Sequence, residues 1–137
     1  MQSCLYFICP TDRLEVIIND AHDSLNYFVS SLGNSLSFDA DRVEEVHALI
    51  ETHKIEAITF VLSDTNEIVA DALGPQHFTD TVGLSEFYDT LLNYKNCTDA
   101  LWHTHDLYTS VISSHLAYKK EELIAQLPDE LISRLKV

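Results

Sequence analysis

The chain has 137 residues, 46% of them apolar, with 8 Lys plus Arg against 22 Asp plus Glu for a net charge of −14. That balance excludes a nucleic-acid binder, which needs a basic footprint to release counterions, and an anionic membrane surface would repel the chain for the same reason. The length and apolar fraction predict one domain, residues 1–137, with enough material for a packed core.

The first half alternates strand-like and helix-like segments. Cys4–Cys9 is a continuous apolar run closed by Pro10, the pattern of a buried strand and not of a signal peptide, since no basic lead precedes it. Thr11 is placed to cap a first helix with the apolar stripe Leu14, Ile17, Ile18 and Ala21. Asn26–Ser31 reads as a second strand running into Leu32-Gly33-Asn34. A second helix is predicted from Asp41 to Lys54, with Asp41 and Glu44 as a capping box and Val43, Val46, Leu49 and Ile50 on its apolar side. Ala57–Leu62 is the third strand and the most uniformly apolar. Strand, helix, strand, helix, strand at these lengths predicts a short parallel sheet of order 2-1-3 with flanking helices.

The second half reads as helical. Leu84, Phe87, Tyr88, Leu91 and Leu92 fit a helix capped near Ser85. A longer helix is predicted from Asp106 to Pro128 and a short one around Leu131, Ile132 and Leu135. The stretch from Gly74 to Gly83 reads as a mobile loop. Tyr88, Tyr94, Trp102, Tyr108 and Tyr118 are expected in the core or at a dimer interface. Cys4, Cys9 and Cys97 form no CxxC pair, which predicts a reducing, cytoplasmic setting. No apolar run approaches the ~20 residues of a membrane helix.

Ligand sites in open parallel sheets lie beyond the carboxyl ends of the strands, where the chain order reverses. In a 2-1-3 sheet that point falls between Cys9 and Asp64. Thr11 and Arg13 belong to the same turn as Cys9, at a helix start that favours anions, and Glu67 follows Asp64 by three residues. The topology therefore gathers Cys9, Arg13, Asp64 and Glu67. The structural alternative makes Cys9 a strand-end thiol, Arg13 a partner for a surface acid and Asp64 a helix cap.

Three blocks in this region resemble β-class carbonic anhydrases. Cys9-Pro-Thr-Asp-Arg13 is similar to the Cys-x-Asp-x-Arg turn of that family. Tyr27-Phe-Val-Ser-Ser-Leu-Gly33-Asn34 is similar to its second strand and following Gly-Asn pair. Val43 to Leu73, including HKIEAITFVLSDTNEIVADAL, is similar to its helix, third strand and His-x-x-Cys segment. The order and spacing agree over residues 4–73. The resemblance implies a β-carbonic-anhydrase-like fold, a homodimer, and an anion-binding cradle made of Thr11, Arg13, Gly33 and Asn34.

It also implies a metal site at Cys9, Asp64 and Glu67, where the family places zinc-binding Cys, His and Cys. Thr11 stands at the family's catalytic Asp position, Asp12 comes one residue late, and Arg13 is in place. One soft and two hard donors make a poor zinc centre, and without a metal to lower the pKa of water towards ~7 carbon dioxide hydration loses its nucleophile. The expected function is that of a shortened, divergent family member without the zinc site, acting as a non-catalytic binding or interaction module and needing no cofactor. The alternative is a divergent carbonate dehydratase, or another metal-dependent enzyme, using Cys9, Asp64 and Glu67 with Asp12 and Arg13 in the catalytic dyad; zinc or another divalent metal and a small anion would then bind.

Elsewhere, His103-Thr-His105 has Ser113 at the spacing of a metallopeptidase, but Leu116 stands where that pattern needs Asp. His115 falls on an apolar helical stripe and reads as a core histidine.

Overall fold

A computed structural model describes residues 2–78, 81, 84–98 and 104–137, without the side chains of 96–98 and 104–106. Three parallel strands, β1 (Ser3–Ile8), β2 (Leu25–Ser30) and β3 (Ala57–Phe60), form one sheet in the order β2-β1-β3. The mixed α/β class and the 2-1-3 order follow the pattern of apolar runs. β1 lies in the middle and all six of its residues are buried, as a continuous apolar run requires. Leu5 pairs in register with Tyr27 on one side and Ile58 on the other.

The alternation of β1 side chains splits the core. Leu5 and Phe7 face Phe38, Val46 and Ile50, the last two from helix α2 (Ala40–His53), together with Leu123 and Leu131 from the C-terminal helices and Leu127 from the turn between them. Cys4, Tyr6 and Ile8 face Ile18 of helix α1 (Glu15–Ala21). A separate apolar cluster joins Cys9 to α3 (Glu67–Ala72), α4 (Leu84–Thr98) and α5 (Thr104–Ile124). Helix α6 (Asp129–Arg134) closes the chain of elements.

Several local expectations are corrected. Thr11 does not cap α1: it lies in a 3-10 turn, Pro10–Asp12, and Arg13 follows in the left-handed region at φ 52°. The helix starts only at Glu15, and Leu14 and Ile18 turn to the sheet. Ile17, one step of about 100° around the helix from Ile18, is 60% exposed beside Val16 at 69%. The cap of α2 is Asp39, whose carboxylate accepts the Arg42 N–H at 2.9 Å, and not Asp41. β3 ends at Phe60, two residues early. Its far edge is not bare, because Ile58 N–H donates to the Lys136 carbonyl at 2.8 Å and Lys136 N–H to that of Glu56 at 3.0 Å. No described helix is long and apolar enough to cross a membrane.

Tyr88 is buried, Tyr94 and Tyr108 pack partly buried against the helical cluster, and Tyr118 is exposed. Trp102 and His103 lie outside the described residues, as do the side chains of Cys97 and His105 and part of the 74–83 loop.

Candidate functional site

β2 and β3 flank β1 on opposite sides, so the reversal point does fall at the carboxyl end of β1. Cys9, the residue after that strand, is fully buried. Its Sγ accepts the Gly33 N–H at 3.2 Å and shares a hydrogen bond with Thr11 Oγ1 at 3.1 Å. Asp12, in the same turn, reaches across to the end of β3: Oδ2 accepts the Ser63 N–H at 2.8 Å and Oδ1 the Asn66 side-chain amide at 2.8 Å. Asn66 is itself buried. Its Oδ1 caps α3 by accepting the N–H groups of Ile68 and Val69 at 3.0 and 2.9 Å.

The Gly33-Asn34 turn closes the other side. Gly33 has φ +63°, and a Cβ there would stand 2.7 Å from Phe87 Cε1 and Cζ, so both the backbone and the space require glycine. Asn34, also at positive φ, is buried and donates its side-chain amide to the carbonyls of Phe7 (3.1 Å) and Val61 (2.9 Å). Gly33 and Asn34 turn both carbonyls to His115 Nε2, each at 3.0 Å.

The structure thus brings Cys9, Thr11, Asp12, Gly33 and Asn34 into one region, but their polar groups satisfy one another. The amide of Gly33 serves Cys9, that of Asn34 serves the Ser31 carbonyl at 3.0 Å, and Thr11 is turned to the thiol. Arg13, Asp64 and Glu67 are exposed. Among the described residues no group of three or more His, Cys, Asp and Glu side chains could hold a metal ion, so Cys9, Asp64 and Glu67 are not gathered as a ligand set. The local reason is Asn66: it takes the buried capping position of α3, and its neighbours Asp64 and Glu67 stay in solvent. Asp64, the residue the structural alternative would use as a cap, is not the cap.

A cavity of about 270 Å3 is lined by residues of α4 and α5 together with Ser35 and Ser37, which follow the Gly33-Asn34 turn. Glu86, Phe87 and Tyr94 line it from α4, and His115, Lys119 and Glu122 from α5. His115 is 1% exposed, packs its ring against Phe87 at 4.8 Å between centroids, and its Nδ1 has no hydrogen-bond partner among the described residues. Burial first, then the Lys119 charge, pulls its pKa down to about 4 against the opposing carbonyl contacts, so the ring is neutral at pH 7. Lys119 is 8% exposed, with its Nζ 3.7 Å from Glu122 Oε2 and 5.9 Å from the centre of the Tyr118 ring. Burial, then the neighbouring Tyr118, raises the Tyr94 pKa.

Sequence reasoning placed His115 in the core but missed this cavity. Lys119-Lys120-Glu121-Glu122 reads as a solvated helix face, and the one available signal was the i, i+4 spacing of His115 and Lys119. Comparisons with known protein families, with curated proteins and with solved structures find no match to this chain.

Proposed function

We propose that this chain is a divergent β-carbonic-anhydrase-like protein that does not use the family's zinc chemistry and acts as a non-catalytic binding or interaction module. The observation that supports this most is the engagement of Asp12. Its carboxylate spans from the β1 turn to Ser63 and Asn66, so the turn that resembles a catalytic cradle serves to join two strand ends. Both oxygens of this acid accept from protein donors at 2.8 Å, which fixes the carboxylate as a tie between the two strand ends.

The proposal includes a cytoplasmic homodimer. Its supports are the exposed ends of β2 at the sheet edge, the exposed Val16 and Ile17 of the preceding helix, and the free thiols of Cys4 and Cys9.

The test combines metal analysis of protein purified without a metal-affinity step with a stopped-flow carbon dioxide hydration assay. Metal well below one equivalent and hydration at the uncatalysed rate are expected. Stoichiometric zinc that disappears in Cys9→Ser, or hydration lost in that variant, overturns the reading in favour of a divergent carbonate dehydratase built on Cys9, Asp64 and Glu67. Light scattering across a concentration series tests the dimer, and a monomer throughout the series removes that part.

A further inference from the structure

We propose that two copies of this chain pair edge to edge through β2, antiparallel about a two-fold axis at Phe28, so that their sheets become one. This rests on the homodimer reading above and names its interface.

The backbone of β2 supplies the first part of the argument. Leu25 N–H donates to the Gln2 carbonyl and Ser31 N–H to that of Ile8, and the register with β1 is unbroken between them. Alternation along the strand therefore turns the odd-numbered residues to β1. It leaves the N–H and carbonyl groups of Asn26, Phe28 and Ser30 on the outer edge, where no described residue bonds them. The opposite edge differs, since Ile58 of β3 is met by Lys136. An open edge is a template for another strand, and natural edges are guarded by a charge, a proline or a bulge. β2, with the sequence LNYFVS, has none of the three.

That sequence selects a second copy as the occupant. A two-fold axis makes the two edges antiparallel, and only an axis at Phe28 pairs all three outward residues. Phe28 then meets Phe28 of the second copy, and Asn26 meets Ser30 on either side of it. Each of these pairs exchanges two N–H···O bonds. Between them Tyr27 stands opposite Val29. Aromatic–aromatic and aromatic–β-branched pairs are of the kinds that stabilise antiparallel neighbours. No charge meets a like charge along the seam, although each copy carries −14.

The flanking helix leaves room. Ile18 of α1 packs with Cys4, Tyr6 and Ile8 of β1, and Phe28 of β2 packs against the same cluster, so α1 lies over both strands. At a strand spacing of about 4.8 Å, two copies of α1 then stand about 10 Å apart across the axis, a packing distance of helices. Burial agrees with an edge still to be covered. The four central residues of β2 are half-buried, whereas every residue of β1, with a strand on each side, is buried.

Sedimentation equilibrium of the full chain and three variants tests the pairing. The unaltered chain is expected to dimerise. Asn26→Lys with Ser30→Lys sets like charges opposite each other at both outer pairs and should weaken the dimer by about tenfold or more. General repulsion works the other way, because two added lysines reduce the net negative charge. Asn26→Lys with Ser30→Glu sets opposite charges at the same places and should leave the dimer intact. Ser30→Pro removes an outward N–H that β1 does not use, and should weaken the dimer too. Should circular dichroism show Ser30→Pro unfolded, the two charge variants decide. A monomeric unaltered chain removes the dimer and this interface together. A dimer that tolerates the two-lysine variant stands, but through another surface, and overturns this one. Equal weakening by the two charge variants overturns the axis at Phe28.

Discussion

His115 of α5 holds the turn after β2 through Gly33: its Nε2 lies 3.0 Å from the Gly33 carbonyl and 3.0 Å from that of Asn34. One ring nitrogen thereby ties the helical half of the chain to the sheet half. Burial pulls the imidazole pKa from 6.5 down to about 4, so the unfolded chain binds a proton that the folded one does not. Stability from this group is complete above pH ~6.5 and falls as pH drops from there towards 4, by an amount on the order of 3 kcal/mol. Urea unfolding between pH 7.5 and 4.5 checks this: His115→Gln should lower stability at pH 7.5 and show a shallower loss on acidification. An unchanged pH slope in the variant rejects the account.

Asp12 and Asn66 form a second tie. Removing the carboxylate in Asp12→Ala leaves the Ser63 N–H and the Asn66 amide without their acceptor and should cost about 1.5–3 kcal/mol. Asn66→Ala should cost more, because it also uncaps α3. A double-mutant cycle by urea denaturation should give a coupling of about 1 kcal/mol or more; additive effects would mean the two side chains act separately.

The sheet was legible in the sequence because three short apolar runs alternate with helical stripes at the spacing of a parallel sheet, and the unbroken run of β1 suits the buried middle position. Strand order placed Cys9 at the reversal point, but it did not show that Arg13, Asp64 and Glu67 would point to solvent, because strand order fixes which ends are neighbours and not which way their side chains turn. The caps were harder. Ser63, Asp64, Thr65 and Asn66 are all good capping residues, and only the reach of Asp12 to the Asn66 amide selects the last. Lys119 was illegible because its neighbours Lys120 and Glu121 are exposed, and only the packing of α5 against α4 and the Gly33-Asn34 turn buries it.

Gly33 tests how tightly that packing is set. Gly33→Ala forces a side chain into the left-handed region, costing about 1–2 kcal/mol, and drives its Cβ to 2.7 Å from two Phe87 ring carbons. The overpacking adds about 1–3 kcal/mol. Thermal and urea unfolding should show both parts, and the second should be partly relieved when Phe87→Leu is added. A double variant no better than the sum of the singles would show that Phe87 is not the obstacle.

Asp71 and Tyr88 hold α3 to α4. The Tyr88 hydroxyl donates to Asp71 Oδ2 at 2.5 Å, and the N–H groups of His77 and Phe78 donate to the same carboxylate at 3.0 and 3.3 Å. Burial by itself raises the Asp71 pKa, but the Tyr88 bond and then the two backbone bonds outweigh it, and the carboxyl is held below its ordinary value. The same burial and the Asp71 charge push Tyr88 well above its usual range, so it remains a donor at any working pH. A carboxylate with a lowered folded pKa stabilises the protein above its unfolded pKa of about 4, and that contribution is lost as pH falls through the folded value. Tyr88→Phe should therefore cost about 1.5–3 kcal/mol at pH 7, as expected for a hydrogen bond to a charged group, and should flatten the stability loss below pH ~4. His77→Ala, which removes only a 72% exposed ring 3.1 Å from Asp71, should cost no more than about 1 kcal/mol. Chemical denaturation at pH 7 and near pH 3.5 separates the two, and a larger loss for His77→Ala than for Tyr88→Phe would place the hold on α4 in the ion pair instead of the hydroxyl.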